Sequence, residues 1–117
     1  MPEHKVTVGN VEITSVSDGR LSFAPSEFFP SVPAEAWEPY RDQLTPDGKL
    51  EMNVGSFVVR SDSKNLLVDT GLGESAQGFQ DVVHGLLLGD MRARGIGPDD
   101  IDMVVITHLH RDHVGWN

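Results

Sequence analysis

The stretch Thr107-His108-Leu109-His110-Arg111-Asp112-His113-Val114-Gly115-Trp116-Asn117 holds three of the five histidines of the chain, in the pattern His-x-His-x-Asp-His. Residues i and i+2 of an extended segment lie on the same side, so His108 and His110 can direct both imidazoles at one metal ion. Asp112 and His113 are adjacent, and a curled backbone would turn both towards a second ion. Imidazole and carboxylate ligands suit zinc, while ligand type alone also admits iron, manganese or cobalt. The alternative is a polar loop of solvated side chains, which such dense clustering disfavours.

Two apolar segments lead into this metal-binding loop, residues 107–117. The uninterrupted run at residues 103–106 predicts a strand covered on both faces, as in a sheet between helices. Residues 54–60 and 65–69 predict a hairpin with a polar turn at 61–64, and the second strand ends in Asp69-Thr70-Gly71-Leu72-Gly73. Sites in layered α/β folds gather at strand ends, so chemistry is expected directly after the last strand.

Further upstream, apolar residues from Phe79 to Met91 follow a helical spacing and predict one helix over 79–91, with Gly95 at its end. His84 lies just off the apolar stripe and is interpreted as a structural histidine. Near the start, alternating apolar residues around Gly9-Asn10 predict a hairpin that ends at Asp18-Gly19.

Residues 19–50 differ in composition from the rest of the chain. They hold five of the seven prolines and five of the eight aromatic residues. So long a connection is often a lid or a binding loop, which predicts a pocket wall here. The alternative is an irregular segment whose aromatic side chains fill the core. A short helix is expected from Pro33 to Trp37, or to Gln43 if Pro39 only kinks it.

Composition narrows the function classes. The 117 residues (12.8 kDa) suit one domain or part of one, and 18 acidic against 9 basic residues give a formal net charge of −9. That balance argues against a nucleic-acid partner and against a polybasic membrane anchor. There is no cysteine, hence no disulfide or thiolate chemistry. No apolar stretch approaches the roughly 20 residues of a membrane helix. We expect a cytoplasmic protein with neither nucleic acid nor membrane as partner.

The loop pattern Thr-His-Leu-His-x-Asp-His-Val-Gly-Trp-Asn, the upstream Leu-Val-Asp-Thr-Gly and the intervening Gly-Ile-Gly-Pro-Asp-Asp-Ile-Asp resemble the metallo-β-lactamase superfamily. The resemblance covers residues 54–117 and looks closest to the branch of quorum-quenching lactonases and organophosphate hydrolases. It implies an α/β (α+β) fold, the N-terminal half of a four-layer αβ/βα sandwich. Residues 1–117 would then be a single partial domain.

The same resemblance implies roles for five residues. His108 and His110 would bind one zinc ion, and Asp112 and His113 a second. Asp112 would also handle protons as a catalytic residue, and Asp69 would support the loop rather than merely cap its turn. The implied activity is hydrolysis of a small-molecule substrate, foremost a lactone or small ester, by a metal-bound hydroxide. The motif does not choose among lactone, phosphotriester, thioester and β-lactam.

The chain departs from the family pattern in one respect. The family's later ligands, a histidine, a bridging aspartate and a last histidine, have no equivalent in these residues. We therefore expect a missing C-terminal half, a second polypeptide or a homo-oligomer to complete the site. Without that completing part, an apolar surface of the sheet would be exposed, and the 117 residues alone would be inactive. The alternatives are an iron-dependent oxidoreductase resembling persulfide dioxygenases and a non-catalytic half-domain that binds a partner chain.

Overall fold

The computed structural model describes residues 4–76, 78, 79 and 82–117. These residues form one mixed β-sheet with a short α-helix against one face. The strands are β1 (Lys5–Val8), β2 (Val11–Phe23), β3 (Leu50–Ser61), β4 (Lys64–Val68), β5 (Val82–Val83) and β6 (Met103–Val105), and the helices are α1 (Pro25–Phe28), α2 (Leu87–Ala93) and two 3₁₀ helices (Ala34–Gln43 and Pro98–Asp100).

The sheet runs in the order β1-β2-β3-β4-β6, with β5 attached to β2. All pairs are antiparallel except β4 and β6, which are parallel. The hairpin predicted around Gly9-Asn10 is confirmed, since Val8 pairs with Val11. Its predicted end at Asp18-Gly19 is wrong. The register shifts between Ser17 and Gly19, but β2 continues to Phe23 because β3 pairs with it on both sides of this bulge.

The second predicted hairpin is also confirmed. Ser61 pairs with Lys64 across a two-residue turn in which Asp62 and Ser63 have φ angles of 48° and 64°. Two successive positive φ angles match the twist of antiparallel strands. The first strand is longer than predicted and begins at Leu50.

The helix predicted over residues 79–91 is wrong in extent. Helix α2 covers only Leu87–Ala93, and Val82–Val83 instead pairs with β2 as strand β5. Two β-branched residues fit an extended strand, and Gly85, with φ 76°, separates this strand from the helix. Residues 80 and 81 lie outside the described residues. Gly95 follows the helix end with φ 77°, as predicted.

One helix supplies the main core contact of the sheet. Leu87 and Met91 of α2 are 0% and 1% exposed and pack on β-sheet residues Val16, Val58 and Leu67. Burial of each of these two side chains contributes roughly 1.5–3 kcal/mol. A second cluster forms around Leu21, Val54 and Leu72, closer to the site described below. A sheet with helix on one face corresponds to two layers of the predicted four-layer sandwich.

Strand β6 is present as predicted, but it is not covered on both faces within this chain. Met103, Val104 and Val105 are 58%, 40% and 40% exposed. β6 lies at the end of the strand order, so in the described part of the chain only β4 pairs with it. The predicted exposed apolar surface is therefore found at this edge of the sheet.

Residues 19–50 contain the end of β2, helix α1 and the first 3₁₀ helix. That 3₁₀ helix follows Pro33 and extends to Gln43, the longer of the two predicted ends, with Pro39 inside it. Neither α1 nor this 3₁₀ helix buries a residue, so residues 24–43 lie on the surface, whereas Leu21 and Phe23 at the end of β2 belong to or pack on the second core cluster. None of the helices in the described ranges has the length and apolar character needed to cross a membrane.

Candidate metal centre

The metal-binding loop follows β6 directly and brings its three histidines together. The His108 ring centre lies 4.5 Å from that of His110 and 3.9 Å from that of His113. The backbone N–H of His113 donates to the carbonyl oxygen of His110 (3.0 Å), so the chain curls there as the ligand spacing requires. Asp112 Oδ2 lies 3.4 Å from His113 Nε2. All four predicted ligands thus occupy one small region at the carboxyl end of β6.

Asp69, the first residue after β4, ties both ends of this loop together. Its Oδ1 accepts the backbone N–H of Thr107 (2.8 Å), and Oδ2 accepts the Thr107 hydroxyl (2.8 Å). His113 Nδ1 lies 2.7 Å from Oδ2. Burial of Asp69 disfavours its charged form, but the hydrogen bonds from the Thr107 N–H, the His113 ring and the Thr107 hydroxyl outweigh burial and hold the pKa of Asp69 below its ordinary value. In its ionised form, the Asp69 carboxylate can accept all of these hydrogen bonds and so support the loop.

This network also sets which ring nitrogens remain free for a metal. An ionised carboxylate only accepts, so His113 donates from Nδ1, and in the neutral imidazole Nε2 then carries the lone pair. The Thr107 hydroxyl has one proton and gives it to Asp69, so its oxygen accepts from His108 Nδ1 at 2.9 Å. His108 then also presents an unprotonated Nε2. Thr107 was not among the predicted site residues; its position between the apolar strand and His108 is the only signal of this role.

The four side chains are of the types that bind zinc, but their donor atoms do not converge on one point. Among residues 4–76, 78, 79 and 82–117, no three or more His, Asp or Glu side chains are arranged to hold a metal ion. The imidazole rings pack on one another instead, whereas zinc needs nitrogen and oxygen atoms at about 2.0–2.2 Å from one point. Small rotations of the exposed His108 and His110 side chains would separate these rings. Four side chains would still supply only part of the ligand shell of two ions.

The backbone after the ligands is joined to the turn after β4. Thr70 N–H donates to the carbonyl oxygen of His113 (2.8 Å), and Gly115 N–H donates to that of Gly71 (2.7 Å). A Cβ atom on Gly115 would lie 2.0 Å from the carbonyl carbon of Leu72, so no other residue fits here without moving the backbone. The turn 69–73 and residues 113–116 therefore form one tightly packed junction.

Asp18 lies beneath this junction and was predicted only as a turn residue. It is 0% exposed. Its carboxylate accepts hydrogen bonds from the backbone N–H groups of Leu72 (2.8 Å), Gly73 (3.0 Å) and Leu87 (3.0 Å) and from the indole N–H of Trp116 (2.9 Å). Asp-Gly is so common in turns that the sequence offered no signal for such a buried acceptor.

The family model described as the metallo-beta-lactamase superfamily matches residues 51–117, which include Asp69 and the entire metal-binding loop. The chain belongs to the metallo-beta-lactamase superfamily. The predicted family and fold class are thereby confirmed. In the superfamily's sandwich, this chain supplies the sheet and helix that carry the His-x-His-x-Asp-His loop.

This superfamily member is similar in sequence and in fold to several lactonases. It is 28% identical over 89 residues to an N-acyl homoserine lactonase of Bacillus thuringiensis, covering 63% of this chain and 36% of the relative. Its fold matches AidC, a dizinc quorum-quenching lactonase solved with a product, with a TM-score of 0.80 and 27% identity over 97% of this chain and 38% of AidC. The hydrolase AbOPH matches with a TM-score of 0.76 and 25% identity, over 95% and 37%. The chain thus spans little more than a third of the relatives it matches.

A row of aromatic rings connects the loop of this superfamily member to residues 19–50. The Arg111 guanidinium lies 4.7 Å above the Phe79 ring. Neighbouring rings then follow with centroid distances of 4.7 to 6.5 Å. The row consists of Phe79, Phe23, Phe28, Phe29, Trp37 and Tyr40. An apolar surface thus starts beside the predicted ligands.

His84 plays no part in the ligand cluster. Its Nδ1 lies 2.9 Å from the carbonyl oxygen of Gly73, to which it donates a hydrogen bond. The prediction of a structural histidine at this position is confirmed.

Proposed function

We propose that the complete protein is a zinc-dependent hydrolase that opens a lactone or other small ester, and that this chain carries its first ligand cluster. The observation that carries the proposal is the Asp69 network, which engages Nδ1 of His113 directly and Nδ1 of His108 through Thr107, so that Nε2 of each ring is the nitrogen left for a metal. Support also comes from the relatives, which are named as N-acyl homoserine lactonases and, for AidC, as a dizinc lactonase.

His108 and His110 would hold one zinc ion, and Asp112 and His113 a second. When bound, the ions would polarise the substrate carbonyl and lower the pKa of the attacking water. Asp69 would keep His113 and His108 in their metal-binding tautomers, through Nδ1 and through Thr107 respectively. Asp112, whose Oδ2 lies 3.4 Å from His113 Nε2, would take the proton that the attacking water releases. The remaining ligands would come from a C-terminal half or from another subunit.

The aromatic row favours a substrate with an apolar group. Phe28 and Phe29 are 40% and 48% exposed, so both offer surface to a ligand. An acyl chain lying along the row would bring its lactone or ester end towards Arg111 and the metal-binding loop. The proposed role of residues 19–50 is therefore a pocket wall for the apolar part of the substrate.

The test measures metal content and hydrolysis together in the complete protein. We expect about two zinc ions per chain and hydrolysis of N-acyl homoserine lactones. His110→Ala should lower turnover by at least 10²-fold, because a ligand is lost. His4→Ala removes an exposed imidazole far from the loop in sequence and should leave turnover unchanged.

Three results would contradict the proposal. Full turnover in His110→Ala would remove this histidine from the site. Iron in place of zinc, with oxygen-dependent conversion of a persulfide, would make the protein an oxidoreductase. Hydrolysis of phosphotriesters but not of lactones would keep the metal site and replace the substrate class.

A further inference from the structure

Asp18 is a buried carboxylate that no part of the proposed mechanism uses. It is 0% exposed and lies at the bulge of β2, far in sequence from every predicted ligand. A carboxylate is costly to bury unless hydrogen-bond donors surround it. Here four donors within 2.8–3.0 Å surround it, and they come from three separate segments.

Two of these segments belong to the junction under the metal-binding loop. Oδ2 accepts the N–H groups of Leu72 and Gly73, which belong to the turn that begins with Asp69. Oδ1 accepts the indole N–H of Trp116, three residues after His113. Asp18 thus holds the turn and the end of the loop, while Asp69 holds Thr107 at the start of the loop and His113 near its end.

Gly71 and the side chain of Asp18 are in close contact. A Cβ atom on Gly71 would lie 2.4 Å from Cβ of Asp18, so the turn rests directly on this side chain. Any movement of Asp18 therefore shifts the turn, and with it Asp69 and its contacts to Thr107 and His113. The indole N–H of Trp116 would lose the partner that it has among the described residues.

We propose that Asp18 is a positioning residue for the metal centre: by fixing the turn 71–73 and the indole of Trp116, it holds Asp69, Thr107 and His113 in the arrangement that binds zinc. This rests on the proposed zinc site. Asp18 acts through these groups and touches neither metal nor substrate. A carboxylate with only a folding role would change the melting temperature of the protein without changing the zinc affinity of the folded form.

The most selective variant is Trp116→Phe, because it keeps an aromatic ring and removes the indole N–H that Asp18 accepts. Trp37→Phe is its matched control, since the buried Trp37 Nε1 has no hydrogen-bond partner in the described chain. Zinc dissociation constants are measured by chelator competition on the folded complete protein, together with melting temperatures. We expect Trp116→Phe to weaken zinc binding about tenfold. Trp37→Phe should leave the zinc affinity unchanged.

Asp18→Asn and the double variant complete the test. Asp18→Asn should weaken zinc binding at least as much as Trp116→Phe, and Trp116→Phe should add little in the Asp18→Asn background because the two share one contact. Wild-type zinc affinity in Trp116→Phe would overturn the inference, even if Asp18→Asn fails to fold. His110→Ala distinguishes failure of the proposed zinc site from failure of the proposed role of Asp18. Unchanged zinc affinity in His110→Ala would overturn the zinc site itself. Loss of zinc affinity in His110→Ala, together with wild-type affinity in Trp116→Phe, would overturn only the role of Asp18.

Discussion

The metal-binding loop and the aromatic segment over residues 24–43 are held by opposite means. Backbone and side-chain hydrogen bonds hold the loop to the turn after β4, and two carboxylates, Asp18 and Asp69, lie at their centre. The aromatic segment buries no residue of its helices, and its Phe28 ring contacts Phe23 of β2 at a centroid distance of 4.7 Å. Buried polar contacts fix geometry, whereas ring contacts tolerate adjustment. The contrast is consistent with the two proposed roles, a rigid metal centre in the loop and an adaptable substrate surface in the aromatic segment.

Among the variants that test this contrast between the two regions, the largest effect is expected at Asp69. Asp69→Ala should weaken zinc binding and lower turnover of the complete protein by about 10–100-fold, because His113 and Thr107 lose the acceptor that orients them. Stability should also fall by about 1–3 kcal/mol, since donors are left unpaired. Metal titration, lactone hydrolysis and urea unfolding measure the three quantities.

Asp99→Ala is the control for this variant, since Asp99 is exposed at the start of the second 3₁₀ helix. It should leave zinc affinity and turnover at wild-type values. Zinc binding of Asp69→Ala equal to that of Asp99→Ala would show that the carboxylate does not support the loop.

The next variant is at Gly115, where the loop and the turn touch, and its expected effect is confined to stability. Gly115→Ala should destabilise the protein by about 1–3 kcal/mol, because its Cβ would overlap the backbone of Leu72. Gly89→Ala is the control: it lies in α2 with open space around its Cβ position and should stabilise by about 0.5–1 kcal/mol. Urea unfolding of both variants gives the comparison, and equal stabilities would contradict close contact at the junction.

The smallest effect on stability is expected in the aromatic segment. Phe28→Ala removes ring contacts with Phe23 and Phe29 that contribute about 0.5–1.5 kcal/mol per pair at most. In the complete protein, KM for a long-chain acyl lactone should rise several-fold, while zinc affinity stays unchanged. Steady-state kinetics with short and long acyl chains provide the measurement. An equal rise for both chain lengths, or a loss of zinc, would place Phe28 in a different role.

Local patterns predicted the parts of this fold that depend on neighbours in sequence. The two hairpins, strand β6 and the histidine spacing all follow from residues within a dozen positions of one another. The helix predicted over 79–91 is wrong in extent because the β-branched Val82 and Val83 pair instead with Leu21 and Arg20 of β2, which lie about 60 positions away in sequence.

The support of the candidate site depends on residues far apart in sequence. Asp18 meets Leu72 and Trp116 across 54 and 98 positions, which no local pattern reveals. The indole N–H of Trp116 donates to Asp18, a contact that the loop sequence alone does not reveal. The chemistry of the ligands is therefore visible in the sequence, and the scaffold that orients them is visible only in the fold.

Anomalous X-ray scattering at the zinc edge, from crystals of the complete protein, tests the central claim most directly. The account predicts zinc within bonding distance of His108, His110, Asp112 and His113, with His113 Nδ1 still on Asp69. Zinc bound elsewhere, or an empty loop in zinc-soaked crystals with these imidazoles directed into solvent, would contradict it.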